Sequence, residues 1–310
     1  MNSIGRIFFI MLLLSLVAVR CTKSKDNTAQ KDTYPIPEDQ IVFDGTGVVG
    51  GKLVLPLEAN PHTFNPITLS SVAEQKIMYG PLYLSLEGLN LDTMQEEMLL
   101  AKSRTISEDG LTYTYVIRKG LRWSDGQPFS IDDVLFTFQV VTDPNILCGV
   151  KDLLKQSDNS FPDFSKVDDN TIKFVLKEKN VLFNSAVGSV YIVPKHKWEK
   201  PYKEGNFMKS MLVNTEPKEM PTLGPYMFHS FEPDQRMVLI RNPYYFKFDK
   251  NGIRLPYLDK IIRIITPDFN ATLVRFQNAE TDMHEIRPEE FDLIKKDAKR
   301  EKDPYTVYEL

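Results

Sequence analysis

Hydrophobic and polar residues alternate with a period of two along several short stretches, and this pattern predicts strands. In Leu111–Arg118, Leu111, Tyr113, Tyr115 and Ile117 fall on one side and Thr112, Thr114, Val116 and Arg118 on the other. Thr171–Leu176 repeats the pattern with Ile172, Phe174 and Leu176 on one face. Lys52–Leu57 and the β-branched run Lys260–Ile265 read as strands ended by Pro61 and Pro267, and Tyr191–Val193 as one stopped by Pro194. Tyr226–Phe231 and Met237–Arg241 read as two strands joined by the turn sequence Glu232-Pro233-Asp234-Gln235.

Helical spacing appears in Val72–Tyr83, in Asn270–Asn278 and again from Pro288 through Phe291, Ile294 and Lys295. Ser130-Ile131-Asp132-Asp133 opens a further helix. Ser130 can cap it, and Asp133 adds negative charge where the helix dipole favours it. Strands and helices mix without strict alternation and no repeat is visible, which predicts a mixed α/β (α+β) fold.

The N-terminus has a different pattern. Arg6 precedes the apolar run Ile7–Val19, which is shorter than the roughly 20 residues that span a bilayer. A positive start, a short apolar core and a polar continuation describe an export signal over residues 1–20. Cys21 ends the run, and the polar, turn-rich stretch after it has no periodicity. Together they resemble a bacterial lipoprotein, with cleavage before Cys21, lipid on its sulfur and a flexible tether or linker over 21–50. Arg20 stands where that pattern has a small residue, and an ordinary cleaved signal is the alternative.

The chain has 310 residues, 42% hydrophobic and 26% charged, as expected for a globular protein. Net charge is −4 and no basic stripe occurs, so nucleic acid is not an expected partner. With only two cysteines, Cys21 and Cys148, a disulfide scaffold is excluded. Gly45-Thr46-Gly47-Val48-Val49-Gly50 has dinucleotide-fingerprint spacing but leads into a strand rather than a helix, so no cofactor is expected. His62, His196, His229 and His284 are scattered, without zinc-ligand spacing. The pairs Asp132-Asp133 and Glu289-Glu290 sit at helix starts and read as solvated caps, and Cys148 as a packed thiol.

Three stretches carry a family resemblance. The first runs through Ser107-Glu108-Asp109-Gly110-Leu111-Thr112-Tyr113-Thr114, Arg118-Lys119-Gly120-Leu121-Arg122-Trp123-Ser124-Asp125-Gly126-Gln127-Pro128-Phe129 and Asp132-Asp133-Val134. The second is Gly224-Pro225-Tyr226 with Arg241-Asn242-Pro243-Tyr244-Tyr245, and the third Pro256-Tyr257-Leu258-Asp259-Lys260 with Ala279-Glu280-Thr281-Asp282. Together they resemble the family-5 extracellular solute-binding proteins of ABC importers, which bind oligopeptides, dipeptides or nickel chelates. Thr222-Leu223 and Ala279 depart from the usual Gly-Thr and Gly of that pattern.

The resemblance implies a two-lobed type II periplasmic-binding-protein fold. Lobe I would span 51–265, with its core in 51–82 and 196–265 and an inserted subdomain in 83–195. Residues 266–310 would begin a second lobe that the chain leaves incomplete. It also implies a non-enzymatic monomer that captures a peptide-like solute between its lobes, serves membrane permease subunits, and sits in the periplasm or cell envelope on its lipid. Thr68, Leu69, Ser70 and Ser71, after Asn65-Pro66, and Leu223 with Gly224, match the family's ligand-contacting segments. Glycine at 224 would let a ligand approach the backbone. The Trp-Ser-Asp-Gly turn, in contrast, reads as structural, since each of its residues has a folding role. Two rival readings are an extracytoplasmic hydrolase using a facing carboxylate pair, one with a raised pKa, and a nonfunctional remnant lipoprotein.

Overall fold

A computed structural model describes residues 32–90 and 93–297. The expected signal, Cys21 and residues 22–31 of the expected tether lie outside the described residues. The chain divides into a unit ending at Thr33, of which only Asp32 and Thr33 are described, and a body beginning at Tyr34.

In the body the elements follow as β1 (Ile41–Phe43), β2 (Lys52–Leu57), α1 (Val72–Met78), β3 (Glu87–Asn90), β4 (Gln95–Met98), β5 (Ala101–Ile106) and β6 (Thr112–Ile117). Next come α2 (Ile131–Thr142), β7 (Asp163–Asp168), β8 (Thr171–Val175), α3 (Phe183–Gly188) and α4 (Lys195–Lys203). The chain continues with β9 (Tyr226–Glu232), β10 (Arg236–Arg241), β11 (Lys247–Asp249), β12 (Lys260–Ile265), α5 (Phe269–Gln277) and α6 (Phe291–Asp297).

Two four-stranded sheets dominate. One has the order β2-β12-β10-β9, antiparallel except where β12 meets β2 in parallel. The other, β5-β6-β8-β7, is antiparallel throughout and lies wholly between residues 101 and 175. Its alternation does what the sequence predicts. Tyr113, Tyr115, Ile117, Ile172 and Phe174 are all buried. They meet Phe138 of α2 and Phe183 of α3, with Phe174 4.7 Å from Phe138 and Tyr113 4.8 Å from Phe183 between ring centroids. Burying side chains of this size stabilises the fold by roughly 1.5–3 kcal/mol each.

Several expectations are corrected. The helix from Val72 ends at Met78 rather than Tyr83, because Gly80 takes a left-handed φ of 83° and Pro81 follows. Tyr191–Val193 joins no sheet, and Ile192 N–H donates instead to the Leu84 carbonyl at 3.0 Å. The stretch 34–43, read as tether, is docked on the body. There β1 pairs in parallel with β11, and the buried Arg254 donates to the carbonyls of Tyr34 and Pro35 at 3.2 and 3.0 Å. Asp39 accepts from Lys102 and from the Lys119 amide. A side chain at Gly120, whose φ is 79°, would come within 2.8 Å of the Glu38 nitrogen, so this glycine lets the strap pass.

Beyond β12 the chain stays on the body. Asp282 exchanges two bonds with Val54 of β2, and Thr266 N–H donates to the Leu57 carbonyl. Among the described residues no helix is long and apolar enough to cross a membrane.

Candidate functional site

The loop that enters α1 is held from below by one carboxylate. Glu74 occupies the third position of the helix and is fully buried. Its Oε1 accepts from the backbone N–H groups of His62 (2.8 Å) and Thr63 (3.2 Å), and its Oε2 from those of Ser70 and Ser71 (both 3.0 Å). Ser71 returns the bond, its hydroxyl accepting from Glu74 N–H at 3.2 Å, which completes a capping box. Burial raises the Glu74 pKa, but the amides of Ser70, His62 and Ser71 outweigh it and hold the carboxyl below its ordinary range.

Asn65, fully buried, folds the loop from inside. Its Oδ1 accepts from Ile67 N–H at 3.0 Å and its backbone carbonyl from Thr68 N–H at 3.2 Å. Phe64 anchors the loop among Phe228 and Phe231, at the wall of a cavity of about 290 Å³ also lined by Val213, Met220 and His229. On this frame Thr68, Leu69 and Ser71 are half-buried and Ser70 is exposed. The Pro66 carbonyl faces Tyr79, whose ring stacks on Tyr191 with centroids 3.8 Å apart and planes within 2°. That pair was not legible in the sequence, because its two tyrosines come from segments more than a hundred residues apart.

Leu223 and Gly224 are placed differently. Both are buried. Gly224 N–H donates to Leu82 O at 2.8 Å, its carbonyl accepts from Asn242, and a Cβ there would stand 2.5 Å from Pro81 O. The close approach that glycine allows is therefore taken by the protein's own backbone. The preceding Thr222 exchanges bonds with Ser124 of the Trp-Ser-Asp-Gly turn. Residues 67–71 precede α1 and the partners of Gly224 follow it, so the two stretches lie at opposite ends of a helix about 10 Å long.

Among the described residues two carboxylates have raised pKa values, and both are committed to internal bonds. Burial dominates for Glu87, which accepts from Tyr115 at 2.6 Å and pairs with Arg104, itself bonded to Glu96. Burial also dominates for Asp133, against bonds from the amides of Lys195 and Ser130 and from Trp123 Nε1. Asp133 and Glu290 were expected to be solvated caps, but both are buried, while their neighbours Asp132 and Glu289 are exposed. Glu290 is held down to about 2 by its bond from Arg287. It also meets His284, whose other nitrogen lies 3.1 Å from the Thr272 hydroxyl. Thr272 is buried and donates to Phe269 O, so this hydroxyl faces no open site. Cys148 is half-buried and burial pushes its thiol up.

Residues 96–309 match the family model described as "Bacterial extracellular solute-binding proteins, family 5 Middle". The chain belongs to this family. It is 34% identical over 253 residues to the periplasmic alpha-galactoside-binding protein of Rhizobium meliloti, covering 73% of this chain and 35% of that one. The periplasmic binding protein MelB from Agrobacterium fabrum, solved with stachyose, superposes with a TM-score of 0.73 at 26% identity, covering 87% and 43% of the two chains. The oligopeptide-binding protein AppA of Bacillus subtilis, solved with a nonapeptide, gives 0.66 at 25% identity, covering 81% and 47%. The architecture is thus the mixed α/β fold of type II periplasmic binding proteins. The chain spans between 34% and 50% of the length of the curated relatives it matches. Those relatives are solute-binding proteins rather than enzymes.

Proposed function

We propose that this chain forms one side of a solute-binding protein that captures a peptide-like molecule and delivers it to the permease of an ABC importer. The family match carries this reading. In it, 51–82 with 196–265 are the core of lobe I, 83–195 the inserted subdomain, and 266–310 the start of lobe II. Thr68, Leu69, Ser70 and Ser71 face the solute, on a loop whose backbone is already fixed and so loses little freedom on binding. Leu223 and Gly224, packed against Pro81 and Leu82, are left out of the solute contact. The protein acts by binding rather than by catalysis, and as a monomer.

Oligosaccharide is the second reading, favoured by the relatives that bind an alpha-galactoside or stachyose. Mass spectrometry of small molecules released from the protein, purified from the cells that make it, separates the two. A thermal shift with trialanine and none with stachyose is expected. The reverse result selects the sugar reading, and no bound solute with no shift from either sinks both.

Export on the segment 1–20 and lipid on Cys21 complete the proposal. Labelled palmitate is expected to enter the protein and to be lost in Cys21→Ser; label retained in that variant would exclude this anchor.

A further inference from the structure

We infer that Glu74 is the positioning residue of the solute-facing loop: it never touches the solute, yet it sets the backbone that does. This rests on the reading of 67–71 as solute-facing. The loop leaves the body near His62 and returns at Ser71, and Glu74 grips both ends at once. One oxygen takes the amides of residues 62 and 63, the other those of 70 and 71. Four backbone amides are thereby satisfied inside the loop, which keeps Phe64–Ile67 buried and leaves Thr68, Leu69 and Ser71 half-buried and Ser70 exposed.

The arrangement is more specific than a helix cap. A cap needs one acceptor for the first turn, and Ser71 already supplies it through its hydroxyl. The bonds to His62 and Thr63 reach back across the loop, where they do nothing for the helix. A charged acceptor strengthens each bond, and a carboxylate has lone pairs enough for all four donors. Glutamine keeps the volume but has one carbonyl oxygen, and it presents an NH₂ to two of the amides. Aspartate keeps the charge but is one methylene too short to hold both ends.

Two measurements on the purified protein test this. Amide exchange without solute reads the grip. Glu74→Gln is expected to speed exchange at least tenfold at His62, Thr63, Ser70 and Ser71 while leaving the amides of β6 and β8 unchanged. Titration with trialanine and with stachyose reads its use. The affinity of whichever probe the parent binds is expected to fall at least tenfold in Glu74→Gln and by less in Glu74→Asp. Asp133→Asn, at the corresponding position of α2, is expected to leave affinity unchanged and controls for the loss of a buried helix-start carboxylate as such. Unchanged exchange at the four amides overturns the proposal, and so does faster exchange with parental affinity. If the parent binds neither probe while its loop amides remain protected, the solute reading has failed and the proposal falls with it. The protected amides identify that failure as one of function rather than of geometry.

Discussion

The starts of α1 and α2 use the same local grammar for different ends. Each has a serine before the helix and an acidic residue at its third position, and in each that carboxylate is buried and accepts backbone N–H bonds. At α1 the four donors all come from one loop, and their combined bonds lower the Glu74 pKa. At α2 the donors come from Ser130, from Lys195 at the start of α4, and from the indole of Trp123 at 3.4 Å. Two backbone amides, against four at Glu74, leave desolvation in command, and the Asp133 pKa rises. The first carboxylate shapes a surface loop, whereas the second ties three distant segments together. The most recognisable motif of the sequence therefore surrounds the structural carboxylate, not the one beside the candidate site.

The largest test of that contrast is Trp123→Ala. The indole is fully buried against Phe129 and His196, and its removal is expected to cost about 3–5 kcal/mol in chemical denaturation. Solute affinity, measured where the variant is still folded, should not change. A fall in affinity beyond the loss of folded protein would join the two regions that the comparison separates.

Acid titration gives a smaller effect with a distinctive sign. Glu74 has a lowered folded pKa. Its contribution is present above the unfolded value of roughly 4.3 and is lost as pH falls through the folded one. Asp133 has a raised folded pKa. Its contribution is present below roughly 3.9 and is lost as pH rises through the folded value. Glu74→Gln should therefore flatten the acid loss of stability. Asp133→Asn should steepen it while costing little at neutral pH, since it removes a poorly compensated buried charge. Equal slopes in the two variants would erase the distinction.

The smallest effect is expected at the far end of α1. Lys76 bridges Glu58 and Glu285 there, whereas the last turn of α2 has no basic residue. Lys76 is about a third exposed and Glu285 mostly so, which limits Lys76→Met to about 0.2–1 kcal/mol by denaturation. A larger loss would show that the segment after β12 depends on α1 for its place on the body.

The alternation of large apolar residues read β6 and β8 correctly, because each buries one face in the core, and the short apolar runs closed by proline read β2 and β12. The same reasoning missed β4 and β5. Gln95–Met98 and Ala101–Ile106 are largely polar and form ladders whose faces are mostly solvated. It missed α4 because Lys195–Lys203 is strongly charged, carries Pro201, and buries only Trp198. At the candidate site, Ser71 as a cap was within reach of the sequence. The four amides converging on Glu74 were not, since no local pattern reports which donors a folded loop turns inward.

The sequence alone thus determined the family and the alternating strands, because these rest on local chemistry that reads the same in any context. Only the tertiary structure decided that Asp133 and Glu290 are buried rather than solvated, and that the space beside Gly224 holds Pro81 and Leu82. It alone decided, too, that residues 34–43 are a docked strap. Each of these depends on which distant backbone arrives at a given point, and burial and hydrogen-bond pairing are settled only there.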